Sequence, residues 1–448
     1  MGYSQSKGRR PFERASKIAH AEILNNPIVQ EFVKGCALPA PPDRTDLQAN
    51  LQPIPGGTGR VKNVVAVDGG MTEVSVRKEF PSASVAFMTF GPLLLSLADL
   101  ADVDRQPFIG PEDMARFRNI RRYTAVIPVK LVRAAGAKSF SAGVRYTIQK
   151  FFANDEPDLL RALRWLLFRE WRPESEREPW IIPKCPATDS CDSSQEFRSG
   201  DPSERTCIRC GRPVYMADAL RLYERIDDDL GAGGILAYLL TTLEQLVLVH
   251  LIRTILEMKP GLLGEMLFVK DGPLAFFGVT APLRKPMREL MQFLGIMDSG
   301  RPIIHLVGLE KSGVFVEHAA LIEPLLKPGQ MLVLDDSYIR RYIAPGDPES
   351  KDTFGFNTYY GSKVIFKGQA QDTYVATIPS ATFMAKPSFS DLFNGAEVLR
   401  VTSQLRCSMY DNALVPVVLA NRLVSLADVP SSEILAKFAA KGIKPVPP

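Results

Sequence analysis

The stretch 235–259 (ILAYLLTTLEQLVLVHLIRTILEMK) constrains this chain most. A helix that is apolar on nearly every side cannot lie on a surface and belongs inside a core. The same length would suit a bilayer, but residues 233–258 include Glu244, His250, Arg253 and Glu257, so we read a buried core helix. Such a helix needs a large body around it. The chain has 448 residues, 46% of them apolar, which gives roughly two to three domains, or one domain with insertions. Charged residues are 23% and the net charge is +4. That balance is ordinary for a globular protein; it permits nucleic-acid binding without arguing for it. The opening MGYSQSKGRRPFERAS lacks the apolar core of a secretory signal, so a cytoplasmic protein with no membrane segment is expected.

The rest of the chain divides by composition. Residues 11–35 have helical character, and 37–60 (ALPAPPD, then PIPGGTG) read as a linker that holds no regular element. A strand is expected at 61–67, with 74–76 and 84–95 following it in a meander, and another at 123–132. Helices are expected at 142–153, 157–168 and 217–229. From residue 266 strands (267–269, 303–307, 331–334) alternate with helices (283–294, 314–326), which is the pattern of α/β packing. Paired strands at 364–366 and 373–378 and a helix at 414–426 complete the chain. The expected organisation is an N-terminal helix and linker (1–60), a core in two parts (61–169 and 217–448), and a polar insertion between them (170–216).

Two strands run into Asp-Gly: NVVAVDGG gives Asp68 and MLFVKDGPL gives Asp271. An acid at the carboxyl end of a buried strand sits where α/β sheets place their ligands. The bland alternative is that Asp-Gly is a turn pair. Glu244 is sharper. Its helix-face neighbours are Leu240, Thr241, Val247 and Leu248, so the carboxylate is expected to be buried, and it needs a basic residue or a cation as partner. Three such carboxylates suit a hard cation, Mn²⁺ or Mg²⁺, and phosphodiester hydrolysis. Four histidines (His20, His250, His305, His318) are too few for a histidine-rich zinc catalytic centre. Lys311, in LEKSG between a strand and a helix, can neutralise phosphate charge or can be an ordinary surface lysine. NTYYGSKVIFK sets Tyr359 and Tyr360 beside Lys363, which suits a nucleic-acid strand or an amphipathic strand pair equally. Asp335-Asp336 reads as a turn.

Four of the six cysteines cluster in the insertion: Cys185-x5-Cys191 and Cys207-x2-Cys210. The second pair has zinc-knuckle spacing, and four thiolates make a closed, structural Zn²⁺ site with no open position for catalysis.

The order VVAVDGG, LEQLVLVHLIR, FVKDGPL, GLEKSG resembles the motif order of the NurA family of nucleases, from about Val64 to the helix near Leu426. The resemblance implies an RNase H-like mixed sheet flanked by helices, here with a small four-cysteine zinc-binding insertion. It implies Asp68, Glu244 and Asp271 as Mn²⁺ or Mg²⁺ ligands, with Lys311 beside them. It also implies a homodimer that acts on DNA, in end resection or DNA degradation, with a HerA-type hexameric ATPase. The chain departs from the family near its end. A tyrosine and then a histidine are expected on a late helix; Asn421 stands at the histidine's place and Tyr410 is the nearest tyrosine. Asparagine orients a phosphate but relays no proton near neutral pH; His318 is the candidate to compensate. That departure motivates the competing expectation, an inactive DNA clamp or docking subunit. A nucleotide-driven enzyme is disfavoured, because GxxxxGK[ST] does not occur.

Overall fold

The computed structural model describes residues 18–77, 82–98, 121–134, 136–297, 300–347, 349–369, 372–407, 414–426 and 431–443. Its strands are β1 (Gln52–Pro53), β2 (Asn63–Arg77), β3 (Ala83–Ser96), β4 (Tyr123–Lys130), β5 (Trp180–Ile182), β6 (Gln195–Phe197), β7 (Glu204–Thr206), β8 (Pro213–Tyr215), β9 (Met266–Asp271), β10 (His305–Glu310), β11 (Gln330–Val333), β12 (Gly361–Lys367) and β13 (Thr373–Pro379). Its helices are α1 (Ile18–Asn25), α2 (Pro27–Gly35), α3 (Arg44–Asn50), α4 (Phe140–Lys150), α5 (Pro157–Leu167), α6 (Leu236–Met258), α7 (Arg284–Ile296), α8 (Val314–Ile322), α9 (Asp336–Tyr342), α10 (Gly395–Gln404), α11 (Val415–Val424) and α12 (Ser431–Gly442).

Nine strands form one mixed sheet in the order β1-β11-β12-β13-β10-β9-β2-β3-β4. The meander β2-β3-β4 is antiparallel, but its first strand joins the segments 61–67 and 74–76, which are expected from the sequence as two separate strands. Strand β9 joins β2 in parallel, and β10 joins β9 in parallel through the crossover helix α7. These five strands have the arrangement an RNase H-like core requires. The remaining four extend the β10 edge as antiparallel neighbours.

Alternation in the strands sorts the core into two layers. Val65, Val67 and Phe268 face α6 and the helices around it. Val64, Ala66, Leu267 and Val269 face the layer of α10 and α11. The long apolar helix is therefore a core element: Gly233–Met258 is the one helix among the described residues with the length and apolarity to cross a membrane, and it lies inside the protein.

Four expectations are revised. β2 does not end at Asp68; it runs through Gly69 and Gly70 to Arg77. Both glycines are there for close approach. A Cβ on Gly69 would sit 2.7 Å from Leu240 Cδ1, and one on Gly70 would collide with the Val424 carbonyl. α6 thus presses one face of β2 and α11 the other. The stretch 37–60 is not featureless: the Asp43 carboxylate accepts from Thr45 N–H (2.7 Å) and Asp46 N–H (3.0 Å), capping α3, and Leu47 is fully buried. Residues 217–229 hold no α-helix, because Arg221 takes a left-handed φ of 59° and splits the segment into two 3₁₀ turns. Asn26 breaks the first helix in two by accepting from Ile28 N–H (2.9 Å), with Pro27 at the next position. Residues 11–17 of that expected helix lie outside the described residues.

Candidate active site and cysteine centre

The parallel pair β2–β9 aligns Val67 with Lys270, after which the two strands part. Asp68 and Asp271 are the next residues on each strand. Directly paired positions share a face and lie about 5 Å apart. Asp68 belongs to the face of Val64 and Ala66, and Asp271 to that of Leu267 and Val269, which is the α11 side. Asp68 is 3% exposed. Its Oδ1 accepts from Gly69 N–H at 2.8 Å, while Oδ2 is buried and makes no hydrogen bond of ordinary length, although the Asn421 amide on α11 approaches the carboxyl. Burial and the charge of Asp271 push the Asp68 pKa up to about 6, against the pull of Lys311, the Gly69 N–H and the Asn421 amide. Asp271 is partly open, and Lys311 Nζ donates to its Oδ2 at 2.8 Å.

Glu244 is buried, as its apolar stripe requires. It approaches from the opposite face, beneath the bare side of Gly69: a Cβ there would be 2.9 Å from Glu244 Oε1. Its Oε2 is 3.3 Å from Lys270 Nζ. Lys270 also donates to the Asp271 carbonyl. Burial pushes the Glu244 pKa up to about 7, with Lys270 opposing and the charges of Asp68 and Asp271 adding to the rise. The partner that a buried Glu244 needs is therefore a lysine on the neighbouring strand. The signal for this partner in the sequence is the lysine inside the apolar run LFVKD.

Three acids and two ammonium groups thus meet where β2 and β9 separate, with the acids divided between the two faces of the sheet. Their oxygens do not gather into one group. Among the described residues, only the four cysteines bring three or more potential ligand atoms within 4.8 Å of one another. The donor set still suits a hard cation. It is all oxygen, Asp68 Oδ2 makes no hydrogen bond of ordinary length, and Lys311 is exposed enough to swing away.

Three other candidates change meaning. Tyr360 is 1% exposed and Lys363 4%. β12 is buried along its whole length, so neither reaches a nucleic-acid strand. Lys363 instead pairs with Glu310 and sits between the rings of Phe315 and Tyr359, 4.1 and 4.3 Å from their centroids. Tyr359 is half-buried against that amine. His318 bonds Tyr338 Oη at 3.0 Å in the cluster of α8 and α9, and burial lowers its pKa to about 4, so it supplies no proton relay at the acids. Asp335 caps α9 by accepting from Tyr338 N–H (2.7 Å). Asn421 is exposed on α11 and faces Asp68; Tyr410 lies outside the described residues.

The cysteine centre is built differently. Hairpin β5–β6 carries Cys185 and Cys191 in its loop, and hairpin β7–β8 carries Cys207 and Cys210. Gly211 takes a φ of 67°, and its N–H donates to the Cys207 carbonyl at 2.9 Å, closing the knuckle. Cys185 Sγ and Cys210 Sγ are 3.7 Å apart, and Cys191 Sγ and Cys207 Sγ are 3.9 Å apart. Two thiolates about 2.3 Å from one tetrahedral ion would be about 3.8 Å apart. Burial works against the Cys207 thiolate, but the N–H groups of Cys210 and Arg209 bring its pKa down to about 6. Gln195 Nε2 donates to the same sulfur at 3.3 Å. The insertion is not an isolated polar knob, since Trp180, Ile182, Phe197 and Val214 join the core layer around α6.

No family model and no curated protein matches this chain. Among solved structures it is similar to the NurA nuclease from Sulfolobus solfataricus, at 8% identity over 95% of this chain and 94% of that one, with a TM-score of 0.32. It is also similar to a NurA with manganese (12% identity, 94% and 96% covered, TM-score 0.30) and to NurA bound to dAMP and manganese (10% identity, 96% and 96% covered, TM-score 0.29).

Proposed function

We propose that this chain is a divalent-metal-dependent deoxyribonuclease whose Mn²⁺ or Mg²⁺ is held by Asp68 and Asp271, with Glu244 as third acid. The observation that carries this reading is Asp68. A carboxylate buried opposite a second carboxylate, with one oxygen making no hydrogen bond of ordinary length, is costly unless a cation belongs there. When bound, such a cation supplies a water of lowered pKa and a Lewis acid for a phosphoryl oxygen. The protein's own groups do the rest. Lys311, released from Asp271, and the Asn421 amide stand on the open side, where they orient a phosphate by donating to its oxygens. Glu244 would be the third acid: its Oε1 lies against the bare side of Gly69, where a side chain would block it, and Lys270 meets its charge from the neighbouring strand.

The motif order supports the finer parts of the proposal: a homodimer degrading or resecting DNA, fed by a HerA-type hexameric ATPase. The insertion holds a structural Zn²⁺ on Cys185, Cys191, Cys207 and Cys210. Labelled single- and double-stranded DNA, incubated with and without Mn²⁺, tests the central part. Cleavage is expected only with metal and is lost in Asp68→Ala and Asp271→Ala proteins that retain their fold. Full cleavage by both variants would end the proposal.

A second reading, an inactive DNA clamp, is favoured by the lysines on Glu244 and Asp271 and by Asn421 in the expected histidine's place. Metal-dependent scission by the purified wild-type chain would remove it.

A further inference from the structure

A cleft of about 490 Å³ opens where the cysteine insertion meets α4. Lys138, Arg145 and Tyr146 line one wall, and Arg212 and Tyr215 the other. No carboxylate is among its lining residues. Tyr146 is 45% exposed and its ring lies 6.4 Å from that of Tyr215. Arg145 is buried, and its charge is met by Asp218 through bonds of 2.9 and 2.6 Å. It also donates to the Pro213 carbonyl (3.1 Å) and stacks on Tyr215, 5.3 Å from the ring centroid. That leaves Lys138 and Arg212 as the exposed cations. Arg212 is fixed to the insertion by donating to the Ala187 carbonyl at 3.2 Å and follows Gly211 in the knuckle. The wall is therefore built, with an open aromatic face and two free cations on it.

The cleft follows β4, the edge strand of the sheet, and its wall α4 packs on the α6 side, the face opposite that of Val64 and Ala66. β4 ends at Lys130, which pairs with Ser84, and Ser84 pairs with Ser75. Ser75 is seven residues beyond Asp68 on β2, about 23 Å at the rise of a strand. We propose that this cleft holds an unpaired segment of the nucleic-acid substrate, with a base on Tyr146 and the backbone on Lys138 and Arg212. The inference rests on the nuclease reading for its ligand and makes the insertion a substrate-holding element. Aromatic faces beside cations recognise single strands of any sequence in this way.

The test is fluorescence anisotropy with a labelled oligothymidylate of about 16 nucleotides, without divalent metal, on the full chain. Tyr146→Ala and Arg212→Glu are each expected to weaken binding by about tenfold, and Arg212→Glu to reduce the salt slope by about one. Arg198→Glu, a charge reversal on the insertion but outside the cleft, is expected to bind as wild type does. Unaltered melting of each variant shows that the fold is kept. The proposal is overturned if the wild type does not bind, if both cleft variants bind like wild type, or if Arg198→Glu matches their loss. Asp271→Ala separates the two readings: it retains oligomer binding while losing cleavage. A wild-type chain that cuts nothing, yet loses affinity through Tyr146 and Arg212, would refute the nuclease and support the cleft.

Discussion

The two candidate metal centres differ in what holds them together without an ion. The four sulfurs all lie within 4.8 Å of one another, two pairs of them at 3.7 and 3.9 Å. The three carboxylates stay on opposite faces of a sheet, two of them met by lysines. Protonated thiols can crowd together at little cost, whereas carboxylates repel and draw in whatever cations the chain offers. A closed thiolate site is thus visible in its resting geometry. An acid site at rest shows its strain instead, as raised pKa values and an oxygen without a hydrogen bond of ordinary length.

The largest expected effect is on chemistry. Asp68→Ala or Asp271→Ala lowers Mn²⁺-dependent cleavage by about three orders of magnitude, the scale of losing a preorganised charged group, while far-ultraviolet circular dichroism stays unchanged. An equal loss from Cys207→Ser would erase the contrast between a catalytic and a structural centre. Next is stability. Cys207→Ser with Cys210→Ser removes the zinc and costs about 5 kcal/mol or more of folding energy in the insertion, read as a lower melting temperature and one zinc fewer per chain by elemental analysis. Four alkylatable thiols in native, zinc-free protein would contradict it.

A smaller effect sharpens the account of the acids. The Asp68 carboxyl has a folded pKa of about 6 against an ordinary 3.8, so the folded state holds the extra proton between those values. The metal-free protein therefore loses stability as pH rises from about 4 to 7. Asp68→Asn removes that loss, raising the melting temperature of metal-free protein at pH 8 by a few degrees and leaving it nearly unchanged at pH 4. An Asn variant that melts lower at pH 8 would show that Asp68 is stabilised as an anion. Because the metal competes with these protons, Mn²⁺ affinity rises through the same range. The smallest effect is Lys311→Ala, which slows cleavage by about tenfold to a hundredfold by removing one phosphate contact. It also frees Asp271 and so tightens Mn²⁺ binding, measured by calorimetry; weaker binding would place Lys311 in the ligand scaffold instead.

Sequence patterns exposed these regions unequally. The knuckle is local, so Cys207-x2-Cys210 and Gly211 were readable directly. Asp68 and Asp271 were readable because each follows an apolar run, and Glu244 because nothing on its helix face explained it. Their arrangement was not, since which face an acid takes depends on strand register. Asp68-Gly69 fits a strand end or a turn in the sequence, and only packing by α6 and α11 on both sides of β2 shows why glycine is needed mid-strand at Gly69 and Gly70. The polar residues at Tyr360 and Lys363 suit a binding strand and an amphipathic strand pair equally in the sequence. The burial of β12 on both faces follows from the layers it lies between, Val364 and Phe366 packing on the α10–α11 side and Ile365 on the α8–α9 side, which composition does not reveal.

The most direct measurement of the central claim is an anomalous difference map from crystals soaked in Mn²⁺. A manganese peak within bonding distance of both Asp68 and Asp271, with Lys311 withdrawn, is predicted. Manganese elsewhere, or none while Lys311 stays on Asp271, would contradict it.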